Sequence, residues 1–375
     1  MSPTTLLVTL LALVAGLVLL VIGAEFLVKG ASRVAAILNI PPLIIGLTIV
    51  AYGTSAPEMS VSIMSSFSPN SVDIAIGNVV GSNICNILLV LGLSSVVAPL
   101  IVTKQIIRSD VPIMIGVSLL LFMFALDGRI SRVDSIILFL GGILYTLSLI
   151  YQSSKHEAEQ DEFAEEYSFD GPVTPIVWIK NIIYIIGGSA LLIFGSTLLV
   201  NSAVVIAEDF LGVSKLLIGL TIIALGTSLP ELATSVIASL RGERDIAVGN
   251  VLGSNIFNIL AVLGIAGIIS PNGIVVSPNV INFSAPVAIA VAFACLPIFY
   301  SGKQIDRWEG LLFLFYYLAY NSYLILDTLD GKSEIAPTIL PLYINIMLWI
   351  VIPLTVIGLI TVAIMEKRAE KNKIV

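Results

Sequence analysis

Charge is what this chain has least of. Only 11% of its 375 residues are Asp, Glu, Lys or Arg, against roughly 25% in a soluble domain. With 57% hydrophobic residues, there is too little polar surface to keep a globule in water. Histidine occurs once, as His156, in a strongly acidic stretch where it reads as solvated. Cysteine occurs twice, as Cys85 and Cys295. Both fall inside apolar segments and read as free thiols behaving as small apolar residues. No basic residue precedes the first apolar run, Leu6 to Gly23, so it reads as a retained membrane helix and not a cleaved signal.

What is present instead is a succession of apolar runs, each long enough to cross a ~30 Å hydrocarbon core as a helix. In lipid the backbone must satisfy its own hydrogen bonds, which leaves helices or a closed barrel. Continuous apolar runs without period-2 alternation select helices. The expected fold class is therefore all-α integral membrane. Eleven spans are expected, at about 4–27, 40–66, 72–99, 109–126, 133–152, 176–203, 213–240, 245–270, 279–299, 307–327 and 337–365. With the N-terminus outside, the loops and tails of one side hold fourteen of the 18 Lys and Arg residues and those of the other hold four. That bias predicts N-out and C-in in a cell membrane. The longest polar stretch, about Gln152 to Val173, carries seven acids. It reads as a solvated cytoplasmic linker, since it lacks the glycine and alternation of a Ca2+-binding EF-hand loop.

The chain also contains itself twice. Residues 46–66 (GLTIVAYGTSAPEMSVSIMSS) and 219–239 (GLTIIALGTSLPELATSVIAS) agree at 12 of 21 positions. Residues 73–92 (DIAIGNVVGSNICNILLVLG) and 245–264 (DIAVGNVLGSNIFNILAVLG) agree at 16 of 20. A weaker echo links Gly23–Ala31 with Gly195–Ala203. Five spans separate equivalent positions, and an odd offset turns the second copy upside down. The expected organisation is a first inverted repeat at 1–152, an acidic linker at 153–175 and a second inverted repeat at 176–327. An extra helix and basic tail follow at 328–375. Inverted repeats place a substrate site near the midplane, where the halves meet.

The polar residues of the repeats supply oxygen. Pro57 interrupts an apolar helix and frees the carbonyl of Gly53. Such breaks at membrane depth persist where they are buried in protein or line a cavity. Thr54, Ser55 and Glu58 add hydroxyls and a carboxylate, and Thr227, Ser228 and Glu231 do the same in the second copy. The next helix adds Ser82 and Asn86 at i, i+4, matched by Ser254 and Asn258. Hard oxygen donors without sulfur or imidazole suit Na+, Ca2+ or Mg2+ and not zinc or copper. A charge at midspan costs at least ~2.5–3.5 kcal/mol on insertion scales, and here that cost is met twice in equivalent positions. Asn78, Asn83, Asn250 and Asn255 read as interhelical hydrogen-bond partners, and the GxxxG spacings at Gly77/Gly81 and Gly249/Gly253 as close-approach sites. Glu25, four residues before Lys29, reads as half of an interfacial ion pair, and Asp73 and Asp245 as helix-start caps.

GTSxPE followed by GNxxGSNxxN, twice in inverted halves, resembles the alpha-repeats of the Na+/Ca2+ exchanger branch of the cation/Ca2+ exchanger superfamily. The match implies a prokaryotic relative, because the long regulatory domains of animal members are absent. It implies alternating-access antiport of Na+ and Ca2+, with no cofactor, no enzyme activity, no nucleic acid and no obligate protein partner. Carried onto this chain, the carbonyls of Thr54 and Thr227 with Glu58 and Glu231 would hold Ca2+. Ser55, Ser82 and the Ala51 carbonyl would form one peripheral Na+ site, with Ser228, Ser254 and the Ala224 carbonyl as its mirror image. Asn86 and Asn258 would line the centre, and helices one and six would slide across the rigid core. K+-dependent relatives carry Asp where this chain has Asn258, so K+ dependence is disfavoured. A Ca2+/H+ antiporter is the nearest rival, and the surplus of serine hydroxyls favours Na+. A serine hydrolase lacks a base beside Ser55 or Ser228, and a channel fits the inverted repeat poorly.

Overall fold

The computed structural model describes residues 3–67, 72–156, 174–210, 224–300, 302–329, 336–359 and 361–362. The acidic linker from Glu157 to Val173, and the run 211–223 that opens the expected seventh span, lie outside the described residues.

Each expected span that is described is helical. The helices are α1 (Pro3–Leu38), α2 (Pro42–Thr54), α3 (Ala56–Ser66), α4 (Ile74–Val97), α5 (Ile106–Ala125), α6 (Arg132–Gln152) and α7 (Pro175–Asp209). They continue as α8 (Leu229–Leu240), α9 (Arg244–Ile269), α10 (Val280–Tyr300), α11 (Arg307–Leu329) and α12 (Ala336–Leu359). Eight of them are long and apolar enough to cross a membrane. The chain is a multi-pass helical membrane protein. α2 and α3 are halves of one span broken at Ser55, and α8 is the matching half in the second repeat.

Two boundaries differ from the sequence reading. α1 runs to Leu38 and not to about residue 27, and α7 runs to Asp209 and not to about 203. The helix continues past Lys29 and Arg33. At 36 residues and ~1.5 Å per residue, α1 is about 54 Å long, well beyond a ~30 Å core. It stops where Asn39 takes a left-handed φ of 52° and Ile40 N–H donates to the Ala35 carbonyl at 3.0 Å. That is a Schellman-type closure, and Pro41 and Pro42 follow it. Glu25 forms an ion pair, but with Arg241 at 2.6 Å and not with Lys29. Arg241 closes α8, which packs beside α1 and brings the guanidinium within reach. Lys29 instead sits 5.6 Å from the centre of the Tyr184 ring.

α1 and α7 are equivalent helices of the two repeats, and they run against each other in opposite directions. An added Cβ at Gly16 would meet Leu199, at Gly23 would meet Gly188 and Leu192, and at Gly30 would meet Asn181. Positions rising along one helix face positions falling along the other, as inversion requires. The loops repeat the relation in two very short antiparallel ladders. β1 (Leu100–Ile101) pairs with β4 (Gln304–Ile305), and β2 (Arg129–Ile130) pairs with β3 (Ile274–Val275). β1 and β3 are equivalents, as are β2 and β4, so the two-fold exchanges one ladder for the other. Neither ladder was expected, because two residues are too short to show a period.

α4 and α9 form the centre, with 72% and 83% of their apolar windows buried, whereas the corresponding window of α12 is 0% buried. α12 is therefore peripheral. It is clipped to α11 by Tyr343 Oη donating to the Ala319 carbonyl and by Tyr316 Oη donating to Thr355 Oγ1, both at 2.7 Å. Gly249 and Gly253 bring α9 onto α2, where an added Cβ would lie 2.8 Å from the Leu43 carbonyl and 2.7 Å from that of Leu47. Gly77 and Gly81 show no such neighbour among the described residues.

Candidate functional site

The break in each repeat is local chemistry made visible. Ser55 and Ser228 adopt φ/ψ of −79°/8° and −87°/4°, the sparsely populated bridge region between helix and strand. Pro57 and Pro230 then restart the helix in its first turn, where proline's missing N–H costs nothing. Glu58 and Glu231 follow in the same first turn, where the helix dipole favours negative charge. Asn86 and Asn258 each open a wide π-helical turn in α4 and α9, a distortion that often marks a functional site.

These elements converge. Glu58 and Glu231 are fully buried (0% exposed), as are Thr54, Ser254, Asn86 and Asn258, and Ser55, Ser82 and Ser228 are nearly so. Ser82 Oγ donates to Glu58 Oε1 at 3.2 Å and lies 3.4 Å from Thr227 Oγ1. Ser254 Oγ donates to Glu231 Oε1 at 3.3 Å and lies 3.4 Å from Thr54 Oγ1. Ser55 Oγ crosses between the halves to donate to Glu231 Oε1 at 3.2 Å. The resemblance groups Ser55 with Ser82. The hydrogen bonds instead join Ser55 to Ser254 on Glu231, and Ser82 to Thr227 beside Glu58. Sequence spacing links residues of one copy and is silent about which copy's hydroxyl reaches which carboxylate. The symmetry is imperfect, since Ser228, the counterpart of Ser55, makes no hydrogen bond to Glu58 among the described residues and stands beside Cys85 instead. The Ala51 carbonyl accepts from Thr54 Oγ1 at 3.3 Å. Ala224 begins a one-turn helix, Ala224–Gly226, ahead of the break.

Four further asparagines hold this arrangement. Asn78 Nδ2 donates to the Glu58 carbonyl at 3.3 Å, and Asn250 Nδ2 to the Glu231 carbonyl at 3.4 Å. Asn83 Nδ2 donates to the Asn255 carbonyl at 3.0 Å while Asn255 Nδ2 donates to the Asn83 carbonyl at 3.2 Å. Asn86 Nδ2 then donates to Asn255 Oδ1, and Asn258 Nδ2 to Asn83 Oδ1. The reciprocal knot satisfies the asparagine N–H groups of both central helices and orients Asn86 and Asn258. Asn83→Ala leaves the Asn258 amide and the Asn255 carbonyl short of a partner, at about 1–3 kcal/mol for each group stranded. Thermal unfolding of the purified variant in detergent is expected to show a clearly lowered midpoint. An unchanged midpoint would remove the knot from the account.

The outcome of this wiring is a set of oxygens with nothing left to accept. Among the described residues, Glu58 Oε2, Glu231 Oε2, Asn86 Oδ1 and Asn258 Oδ1 are all buried without a hydrogen-bond partner. No Lys, Arg or His pairs with either glutamate among the described residues. An uncompensated buried charge is expensive, and four acceptor-only oxygens from equivalent positions suit a hard cation of the Na+ or Ca2+ type.

Comparison with known proteins agrees with this chemistry. The sequence model described as "Sodium/calcium exchanger protein" matches residues 8–153 and 180–326. The chain belongs to the sodium/calcium exchanger family. The unmatched gap coincides with the acidic linker. The putative antiporter CaxA of Alkalimonas amylolytica is 44% identical over 317 residues, covering 84% of this chain and 98% of its own. The sodium/calcium exchanger MaX1 of Methanosarcina acetivorans is 33% identical over 344 residues, covering 84% of this chain and 97% of its own. A solved structure of the sodium-calcium exchanger NCX_Mj superposes with a TM-score of 0.72 at 30% identity, over 85% of this chain and 99% of that one. As a member of this family, the chain is a cation/Ca2+ antiporter and not an enzyme.

Proposed function

We propose that this exchanger moves Na+ against Ca2+ by alternating access at the single site between its halves. The observation that carries the reading is the symmetric quartet of unpartnered buried oxygens on Glu58, Glu231, Asn86 and Asn258. Two carboxylates give the site a charge of −2, which one Ca2+ neutralises. The hydroxyl clusters around each glutamate, Ser55 with Ser254 and Ser82 with Thr227, supply peripheral oxygens suited to Na+. The Ala51 and Ala224 carbonyls, with those of Thr54 and Thr227 and the Ser228 hydroxyl, complete the proposed ligand set. If three Na+ replace one Ca2+, one positive charge is left over and exchange is electrogenic. With the empty site at −2, two bare carboxylates resist crossing the membrane, which favours exchange over leak.

The proposed organisation is two inverted repeats, 1–152 and 176–327, joined by the linker 153–175 and followed by the extra helix and tail 328–375. The proposed setting is the cell membrane, with the N-terminus outside and the C-terminus in the cytoplasm. Asn at both central positions leans the reading away from K+ dependence. Reconstituted vesicles loaded with Na+ are expected to take up Ca2+ when external Na+ is removed. A K+ gradient imposed alone should leave Ca2+ in place, and clamping the membrane potential should change the rate. Ca2+ uptake driven by a pH gradient alone, with Na+ absent throughout, would replace Na+ with H+ in this account.

A further inference from the structure

A third intramembrane carboxylate lies outside the exchange site. Asp110 stands in the second turn of α5 and is fully buried (0% exposed). Tyr145 Oη of α6 donates to its Oδ1 at 3.4 Å, and Oδ2 has no partner. The Gln105 side chain lies beside the carboxyl, close enough for a long hydrogen bond to it. The obvious structural duty for an Asp at a helix start is capping, and Asp110 makes no capping hydrogen bond.

The second half shows what the packing alone requires. The π-turn Ile106–Asp110 corresponds to Val280–Ser284, each followed by one residue and a proline. Tyr145 corresponds to Tyr320, thirteen residues past Arg132 and Arg307, which open α6 and α11. Ser284 and Tyr320 are neighbours, as Asp110 and Tyr145 are. A serine hydroxyl is thus enough at this junction, and the first half carries a carboxyl in its place.

Among the described residues no ion pair reaches that carboxyl. α9 and α10 pack on α5, and from Ile246 to Tyr300 the chain contains no Asp, Glu, Lys, Arg or His. From these helices come only the Cys295 thiol and the Tyr300 phenol. α6 contributes Tyr145, and its other charged or titratable described residues, Arg132, Asp134 and Tyr151, stand near its two ends. Lys104, on the approach to α5, and Arg108, in its first turn, are exposed. A charged carboxylate here would be buried and unpaired, which the hydrocarbon interior penalises heavily.

We propose that Asp110 is a proton-binding site of the first half, a carboxyl that holds its proton on Oδ2 while α5 and α6 are packed and exchanges it with water from the face bearing β1 and β4. The neutral acid fits these neighbours: Oδ1 accepts from Tyr145, and the amide of Gln105 can turn its oxygen towards Oδ2–H. Tyr145 also packs edge-on to Phe257 at 5.8 Å between ring centroids, next to Asn258, which links the proton site to the central network.

The test is infrared difference spectroscopy of the full-length protein in lipid, wild type minus Asp110→Asn, across a pH series. The expected result near neutral pH is a protonated-carboxyl band present in wild type and lost in the variant, giving way to a carboxylate band on raising the pH. A difference spectrum showing only carboxylate bands down to mildly acidic pH would overturn the proposal. Should Asp110→Asn fail to fold, Tyr145→Phe keeps the carboxyl and removes one donor to it, so the same band should move to higher wavenumber. A wild-type spectrum unaltered by Tyr145→Phe would also overturn it.

Discussion

Glu58→Gln and Glu231→Gln are each expected to abolish Ca2+ transport while the folded protein is still recovered. Glutamine is nearly isosteric with glutamate and keeps an oxygen for the Ser82 or Ser254 hydroxyl, so the packing survives. What changes is the outer oxygen. In the wild type, Oε2 of each glutamate is an acceptor with no donor; in the variant that position can present an N–H to the cation. The site charge also falls from −2 to −1. Removing one partner of a buried charge pair costs about 3–5 kcal/mol, or at least ~100-fold in occupancy at fixed Ca2+. Glu231 takes two hydroxyls, from Ser55 and Ser254, where Glu58 takes one, so Glu231→Gln should weaken Na+ binding to the purified protein more than Glu58→Gln does. Radiolabelled Ca2+ uptake by vesicles carrying each variant is the measurement. Substantial Na+-driven uptake by either one would sink the assignment of the site.

Gly188→Ala is expected to destabilise the protein by about 1–3 kcal/mol, the usual range for overpacking, while Gly187→Ala is neutral or slightly stabilising. The two positions are neighbours on α7, yet their surroundings are opposite. A Cβ at Gly188 would lie 2.6 Å from Leu27 N and 2.7 Å from the Gly23 carbonyl, both backbone atoms that cannot rotate away. A Cβ at Gly187 meets nothing within 4 Å, and alanine is a better helix former there by up to ~1 kcal/mol. The pair therefore separates the seam from any general intolerance of α7 to substitution. Transport should follow the same order, because Gly16, Gly23 and Gly30 on α1 and Gly188 and Gly195 on α7 set how closely the two long helices approach. Thermal unfolding and initial uptake rates for the two variants give the check, and equal behaviour would mean that the seam is looser than the geometry indicates.

The architecture was legible in the sequence because lipid imposes a coarse rule, in which long apolar runs become helices, and because the duplication is written twice in nearly the same letters. The odd offset between copies announced inversion, and the opposed running of α1 and α7 is that inversion seen directly. Pairings across the halves were not legible. Spacing can relate Ser82 to Asn86 on one helix, but no spacing relates Ser55 to Ser254 or Glu25 to Arg241, which meet only through packing. The extra turns of α1 were hidden because Lys29 and Arg33 look like the end of a span, although a helix continues freely beyond the lipid. Asp110 was passed over for a similar reason. It stands second in the apolar run 109–126, where an acid looks like a boundary residue; its burial depends on α6, α9 and α10, which the local sequence does not describe.

The two small ladders carry a consequence for how the protein is made. β1 leaves the ribosome about two hundred residues before its partner β4, and β2 almost one hundred and fifty before β3. Reciprocal contacts of the Asn83–Asn255 kind are equally distant along the chain. Half of the molecule must therefore wait in the bilayer with its inner helix α4 unsheathed until α9 to α11 arrive, and non-local closure of this kind is slow. Biogenesis is the stage at which this fold is most exposed to chaperones and to degradation, and a chain truncated after α6 would keep its motif and its carboxylate while having nothing to close against.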